Sequence, residues 1–183
     1  SFFLSKKAAE IKAERVIMCG VRFMAESVKI LSPETETLLP VPSATCPMAE
    51  QIAPERVRKY KEENPGAVVV AYINSTAALK AECDVCVTSS SAIKIVEKLD
   101  APEILFIPDQ HLGSFVKAKL PHKNIVLWDG YCPVHAQLTK EDVLECKKAH
   151  PTAKFAVHPE SPKEVVELAD TLGKLTVATG DGH

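Results

Sequence analysis

The sequence predicts an α/β protein with parallel sheets, and three observations support this fold class. Short runs rich in Val and Ile alternate with helical stretches of 3.6-residue periodicity along the chain. Two loop-then-helix segments, 21–31 and 90–99, resemble each other, which suggests duplicated βαβα blocks. Polar side chains gather directly after the predicted strands, where open parallel sheets bind their ligands.

Strands are predicted where Val and Ile are dense enough to suit buried positions. They lie at 16–19, 38–41, 67–73, 85–88, 104–107, 125–128, 155–157 and 175–178. Helices are predicted at 4–12, 22–31, 54–63, 91–99, 114–120, 140–150 and 162–171. Within 91–99, Ala92, Val96 and Leu99 recur at steps of three and four and define one apolar face. Thr139 precedes two acidic residues and Pro162 opens a helix, so both mark helix starts.

Composition excludes several classes of protein. The 183 residues are 46% hydrophobic and 25% charged, which are values of a globular and not of a disordered chain. With 22 Lys+Arg, 24 Asp+Glu and no long basic run, no nucleic-acid partner is predicted. The longest apolar runs fall far short of the ~20 residues that span a bilayer, so no membrane partner is predicted either.

Cysteine usage and the chain start predict the compartment. The start does not resemble a signal peptide, so the six cysteines are expected to be reduced and the protein cytoplasmic. The chain lacks an initiator Met and opens directly on a helical pattern. We therefore expect the gene product to be longer than these 183 residues.

Cys46 and Cys132 are the sharpest pair of candidate metal ligands. Each follows a predicted strand through a short loop, and each is followed by proline. A Cys-Pro step is also found at iron–sulfur ligands, where a loop cysteine points at the cluster. The alternative is that both are buried small hydrophobes. Their wide separation in the chain excludes a compact zinc knuckle.

The other four cysteines are predicted to be structural. Cys83-x-x-Cys86 resembles a redox or metal half-site, but its overlap with a predicted strand puts the two side chains on opposite faces. A redox protein with a reactive thiol at one of these positions is the alternative. Cys19, at the end of a buried strand, and Cys146, within a helix, are both expected to be packing residues.

Further candidate site residues follow other strands. His158 and Glu160 end a strand in a rigid turn and could supply a proton donor and a base, with a helix-capping loop as the alternative. Tyr72 and Asn74 share one face of a strand end, although Tyr72 also suits a core aromatic. Ser89 lies before a helix, where hydroxyls and free amides suit a carboxylate or phosphate; an ordinary serine cap is the alternative.

Together, these segments resemble the quinolinate synthase family, the A protein of bacterial and archaeal NAD biosynthesis. The matching stretches run in family order and are 19–26, 39–49, 71–77, 80–82, 88–90, 108–109, 112–113, 128–135 and 157–160. The resemblance implies repeated three-layer α/β domains with parallel sheets, in pseudo-threefold arrangement around a central site. It implies part of a first domain at 1–48, a second domain at 49–131 and part of a third at 132–183.

The resemblance also implies an activity and a cofactor. The family condenses iminosuccinate (iminoaspartate) with dihydroxyacetone phosphate to give quinolinate, and it holds a [4Fe–4S] cluster on three cysteines with one iron open as a Lewis acid. An aspartate-oxidising enzyme that supplies iminosuccinate is an implied partner. The family's N-terminal His and Tyr motif and its third ligand cysteine are absent from these residues. The alternative function is a non-catalytic α/β protein that binds small dicarboxylates or phosphates.

The same match implies the roles of individual residues. Cys46 and Cys132 correspond to cluster ligands. Glu160, His158 and Tyr72 correspond to catalytic residues, with Glu160 as the acid/base. The implied substrate-binding residues are Ser1, Tyr72, Asn74, Ser89, His158 and Glu160.

Overall fold

Strands and helices alternate along residues 2–172, the part of the chain that this computed structural model describes. The strands are β1 (Arg15–Ile17), β2 (Glu36–Leu38), β3 (Val68–Tyr72), β4 (Val85–Val87), β5 (Ile104–Ile107), β6 (Ile125–Leu127), β7 (Ala156–Val157) and β8 (Thr171–Leu172). The helices are α1 (Phe2–Glu10), α2 (Arg22–Leu31), α3 (Pro54–Glu63), α4 (Ala77–Ala81), α5 (Ala92–Glu97), α6 (Gln110–Lys119), α7 (Lys140–Ala149) and α8 (Lys163–Val166). A 3₁₀ turn at His135–Gln137 precedes α7.

The strands form three separate parallel sheets, which confirms the predicted fold class. Their orders are β1-β2, β4-β3-β5-β6 and β7-β8, and every strand pair is parallel. One sheet lies within each of the three predicted ranges 1–48, 49–131 and 132–183. The division into domains around a central site stays a prediction. Among residues 2–172, no helix has the length and apolar character needed to cross a bilayer.

The central strands of the four-stranded sheet, β3 and β5, are buried on both faces, which explains their unbroken apolar runs. In β5, Ile104 and Phe106 pack into one core cluster, whereas Leu105 and Ile107 pack into a second. The first cluster also contains Tyr72 of β3. Successive side chains of a strand alternate between faces, so β3, β5 and β6 contribute to both clusters. The edge strand β4 contributes only to the first, because Cys86 on its other face is exposed.

Several helix bounds differ from the prediction, and helix capping explains two of them. Helix α6 begins at Gln110, earlier than the predicted 114–120, because Asp109 caps it by accepting from the His111 amide at 2.9 Å. Helix α4 was not predicted; the Thr76 side chain caps it. Thr139 forms the predicted cap of α7, here as a full capping box.

The predicted last helix, 162–171, was wrong in length. Helix α8 ends at Val166, and the tail of the predicted helix becomes a turn followed by β8. Strand β8 has no counterpart among the predicted strands. The strand predicted at 175–178 lies outside the described residues.

Candidate functional site

Two cysteine loops with the same pattern of backbone amides at the sulfur lie at the centre of the candidate site. Cys46 lies in the connection from β2 to α3, and Cys132 lies in the connection from β6 to the 3₁₀ turn. At Cys46 the backbone amides of Met48 and Ala49 hydrogen-bond to the sulfur. At Cys132 the backbone amides of Val134 and His135, two and three positions further along, hydrogen-bond to the sulfur in the same way. In each loop the intervening residue is proline, which has no amide hydrogen of its own.

The two thiols interact electrostatically, so both belong to one site. Burial raises the pKa of Cys46, and the negative charges of Cys132 and Glu160 raise it further. Burial also acts to raise the pKa of Cys132, but hydrogen bonds from the His135 side chain and two backbone amides outweigh it, so this pKa is lowered. Cys132 is therefore the thiol of the pair that ionises more easily.

A buried carboxylate between two imidazoles completes the site. Glu160 and His158 follow β7 and are 3% and 4% exposed. Glu160 Oε2 lies 3.2 Å from His135 Nδ1, and Glu160 Oε1 lies 3.6 Å from His158 Nδ1. The two imidazole rings stack with centroids 5.4 Å apart. The adjacent Cys132 thiol and Glu160 carboxyl group raise the pKa of His135 to about 10, so this residue is a cation at neutral pH.

His158 contacts both the backbone and the side chain of Glu160. The backbone N–H of Glu160 donates to His158 Nδ1 at 3.3 Å, and Glu160 Oε1 lies 3.6 Å from the same nitrogen. The imidazole of His158 is therefore held beside the carboxyl group of Glu160.

Cys132, His135 and Glu160 also form a potential metal-binding group. Each offers one ligand atom, and these three atoms lie within 4.8 Å of one another. The sequence did not single out His135 as a site residue. The available signal was its position three residues after Cys132, inside the segment 128–135 that carries the family resemblance.

Asp109 is a second residue near the site that the sequence did not single out. It follows β5 and is completely buried. Burial raises its pKa to about 7, and the negative charge of Glu160 contributes to the shift. Asp109 therefore differs from an ordinary aspartate in retaining a proton over part of the neutral pH range.

The remaining predicted site residues lie at one edge of the four-stranded sheet. Tyr72 of β3 pairs in register with Val87 of β4. Asn74 lies two residues after Tyr72, and Ser89 lies two residues after Val87. Asn74 and Ser89 therefore follow neighbouring strands at the same edge of the sheet. Tyr72 is only 1% exposed and packs in the core cluster against which Cys46 and Cys132 also pack. Asn74 and Ser89 are half-buried. Ser1 lies outside the described residues.

The other four cysteines are free thiols outside this group. Cys83 lies just before β4 and packs against the second core cluster, whereas Cys86, within β4, is exposed. Burial raises the pKa of Cys83 to about 12 and also raises that of Cys86, which is unfavourable for a reactive redox thiol. The expectation that Cys19 and Cys146 are packing residues was wrong, because both are exposed.

We expect iodoacetamide to alkylate Cys132 faster than Cys83 in the metal-free folded protein at neutral pH. The pKa of Cys132 is lowered and that of Cys83 is about 12, so the rates should differ on the order of tenfold or more. Peptide mass mapping over time measures both sites in one sample. In urea the two rates should converge; equal rates in the folded protein would contradict the assignment.

Comparisons with known proteins agree with the resemblance in the sequence. Residues 1–177 match the family model described as Quinolinate synthetase A protein. A protein of Clostridioides difficile (strain 630) named quinolinate synthase is 50% identical over 176 residues, which are 96% of this chain and 58% of that protein. One from Caldicellulosiruptor saccharolyticus is 53% identical over 94% of this chain and 57% of its own length. One from Aquifex aeolicus is 47% identical over 96% of this chain and 55% of its own length. The chain thus spans a little over half the length of these curated relatives.

Proposed function

Because the chain belongs to the Quinolinate synthetase A protein family, we propose that it carries part of the active site of a quinolinate synthase. The proposed reaction condenses iminosuccinate with dihydroxyacetone phosphate to give quinolinate in NAD biosynthesis. The observation that carries the proposal is that Cys46, Cys132 and Glu160 interact although they follow strands of three different sheets. Each sheet thereby contributes one chemically active side chain to a shared centre.

The donor set at the two cysteines fits an iron–sulfur cluster. Such clusters are held by cysteine thiolates, and hydrogen bonds to the sulfurs tune them. Cys46 and Cys132 would hold the cluster, and the two backbone amides at each sulfur stabilise its negative charge. The family pattern assigns the third cysteine to a segment that these 183 residues lack. When bound, a cluster with one open iron supplies a Lewis acid for a substrate oxygen or nitrogen.

Glu160 is the proposed acid/base of the reaction. Imine formation, dehydration and ring closure each require protons to be given and taken. Glu160 Oε2 lies 3.2 Å from His135 Nδ1, so the proposed base has an imidazole within reach with which it can exchange a proton. His158, whose imidazole lies beside Glu160, is the proposed proton donor to a substrate oxygen. The burial of both residues strengthens these interactions by excluding water.

Tyr72, Asn74 and Ser89 are proposed to bind substrate at the same sheet edge, with Tyr72 also as a catalytic residue. Their hydroxyl and amide groups suit the carboxylates and phosphate of the two proposed substrates. Iminosuccinate must come from oxidation of aspartate, so the enzyme that catalyses this oxidation is the proposed partner. The proposed location is the cytoplasm, where thiols such as those of the six cysteines are kept reduced.

The test is the iron and acid-labile sulfide content of the full-length gene product purified without oxygen. We expect about four of each per chain, together with quinolinate formation from iminosuccinate and dihydroxyacetone phosphate. A full-length protein that takes up no iron on reconstitution would contradict the proposal. It would favour the non-catalytic binding of small dicarboxylates or phosphates.

A further inference from the structure

The side chain of Gln51 joins the two cysteine loops. Gln51 Nε2 donates to the Tyr131 carbonyl at 2.8 Å, and the Tyr131 N–H donates to Gln51 Oε1 at 3.0 Å. Gln51 lies five residues after Cys46, and Tyr131 directly precedes Cys132. One amide group thus pairs with both backbone groups of a residue 80 positions away, as a neighbouring strand would.

Close packing on the Cys132 side leaves little freedom in this contact. A Cβ atom at Gly130 would lie 2.7 Å from Gln51 Oε1 and 2.5 Å from the Pro108 carbonyl oxygen. The Gly130 carbonyl in turn accepts from the Gln110 amide at 2.7 Å. The backbone that leads into Cys132 is therefore held against both Gln51 and the start of α6.

The Cys46 loop is anchored separately at its other end. Arg22 Nη2 donates to the Pro42 carbonyl, and the Arg22 backbone N–H donates to the Ala44 carbonyl, both at 2.9 Å. The second half of the loop is held by the core, in which Met48, Ala49 and Ile52 are buried. Gln51 lies in that half, and its two hydrogen bonds tie it to the residue before Cys132.

We propose that Gln51 is a positioning residue that fixes the spacing of Cys46 and Cys132 and so their joint affinity for a metal centre. This inference rests on the proposed function in one respect, namely that the two cysteines act as ligands of one centre. Two ligands bind an ion more tightly when the protein holds them at the required spacing before binding. Gln51 does not contact the metal; it acts through the backbone next to Cys132.

Cd²⁺ binding to the metal-free full-length protein tests the role, since soft thiolate ligands favour such an ion. Cys83 and Cys86 are both replaced by serine, and the thiolate-to-Cd²⁺ charge-transfer absorption is titrated. Gln51→Met keeps the side-chain length but loses both hydrogen bonds. Gln51→Glu keeps an acceptor for the Tyr131 N–H. It replaces the donor to the Tyr131 carbonyl by a carboxylate oxygen, which repels that carbonyl oxygen. Asn124→Ala is the control, because it removes an exposed side-chain bond to a backbone carbonyl, that of Pro102, without touching either cysteine loop.

We expect Gln51→Met to weaken Cd²⁺ binding on the order of tenfold, as befits two exposed hydrogen bonds. Gln51→Glu should weaken it at least as much, and Asn124→Ala should leave it unchanged. Without metal, Gln51→Met and Asn124→Ala should have the same midpoint of thermal unfolding. A lower midpoint for Gln51→Met alone would indicate a purely structural effect. Unchanged Cd²⁺ affinity in Gln51→Met would overturn the positioning role.

A Cys46→Ser variant separates this inference from the proposed function. If Cys46→Ser binds Cd²⁺ as tightly as the parent, the two cysteines do not share an ion, and the proposed cluster site fails along with the role of Gln51. If Cys46→Ser loses binding and Gln51→Met does not, only the role of Gln51 is wrong. Loss in both variants supports the inference.

Discussion

The Cys132→Ala variant of the full-length protein is expected to lose nearly all of its iron, its acid-labile sulfide and its quinolinate formation. Cys132 is the thiol whose pKa is lowered, and it contacts His135, which in turn contacts Glu160. Removing its sulfur therefore takes away a proposed ligand and leaves a cationic imidazole without one of its anionic partners. Iron and sulfide analysis of anaerobic protein, beside an activity assay, measures the effect.

Cys146→Ala is the matched control for this experiment. It makes the same chemical change at an exposed position on α7, away from the site. We expect this variant to keep its iron and its activity. A Cys132→Ala protein with the iron content of the Cys146→Ala protein would exclude Cys132 as a ligand.

The Glu160→Gln variant is expected to lose activity by about 10²- to 10⁴-fold while keeping its iron. The amide keeps the shape of the carboxyl group but cannot take up the proton that the proposed acid/base must accept. The position is 3% exposed, so water cannot readily replace the carboxylate. Turnover rate and iron content are measured on the same preparation.

Iron content decides between two roles for Glu160. The residue belongs to a group with Cys132 and His135 that could hold an ion, so a ligand role predicts loss of iron together with activity. Glu164→Gln, four residues further along and exposed, is the control and should behave like the parent. Full activity in Glu160→Gln would rule out the acid/base role.

The four-stranded sheet could be predicted because its central strands, β3 and β5, are buried on both faces. Such strands form continuous apolar runs, and β5 is predicted to the residue at Ile104–Ile107. Helix ends were less predictable, because they depend on which polar side chain turns back onto the backbone. Asp109 and Thr76 do so. As a result, α6 begins earlier than predicted and α4 forms where no helix was predicted.

The sequence predicted which site residues follow strands, but it did not predict which of their side chains contact one another. The rule that ligands bind beyond the carboxyl ends of parallel strands singled out Cys46, Cys132, His158 and Glu160, and the family resemblance proposed their roles. Those roles stay predictions. His135 was missed because its local spacing from Cys132 does not show its contact with Glu160, which depends on the tertiary structure.

Exposure was the least predictable property of single residues. Cys146 lies in the expected helix, whereas Cys19 lies two residues beyond the end of β1, which is itself not buried. The exposure of both depends on what packs over them. Gln51 has an unremarkable local sequence, and its partner Tyr131 is 80 residues away. Such pairings require the tertiary structure.

The main-chain amides at the two cysteine sulfurs have an evolutionary consequence. A side-chain donor can be lost by a single mutation, whereas a backbone N–H persists through every substitution except proline. Sequence drift at Met48, Ala49 and Val134 can therefore alter packing without removing the hydrogen bonds to sulfur. The hydrogen bonds to the sulfur in each Cys-Pro loop therefore tolerate most substitutions of the residues that follow the proline.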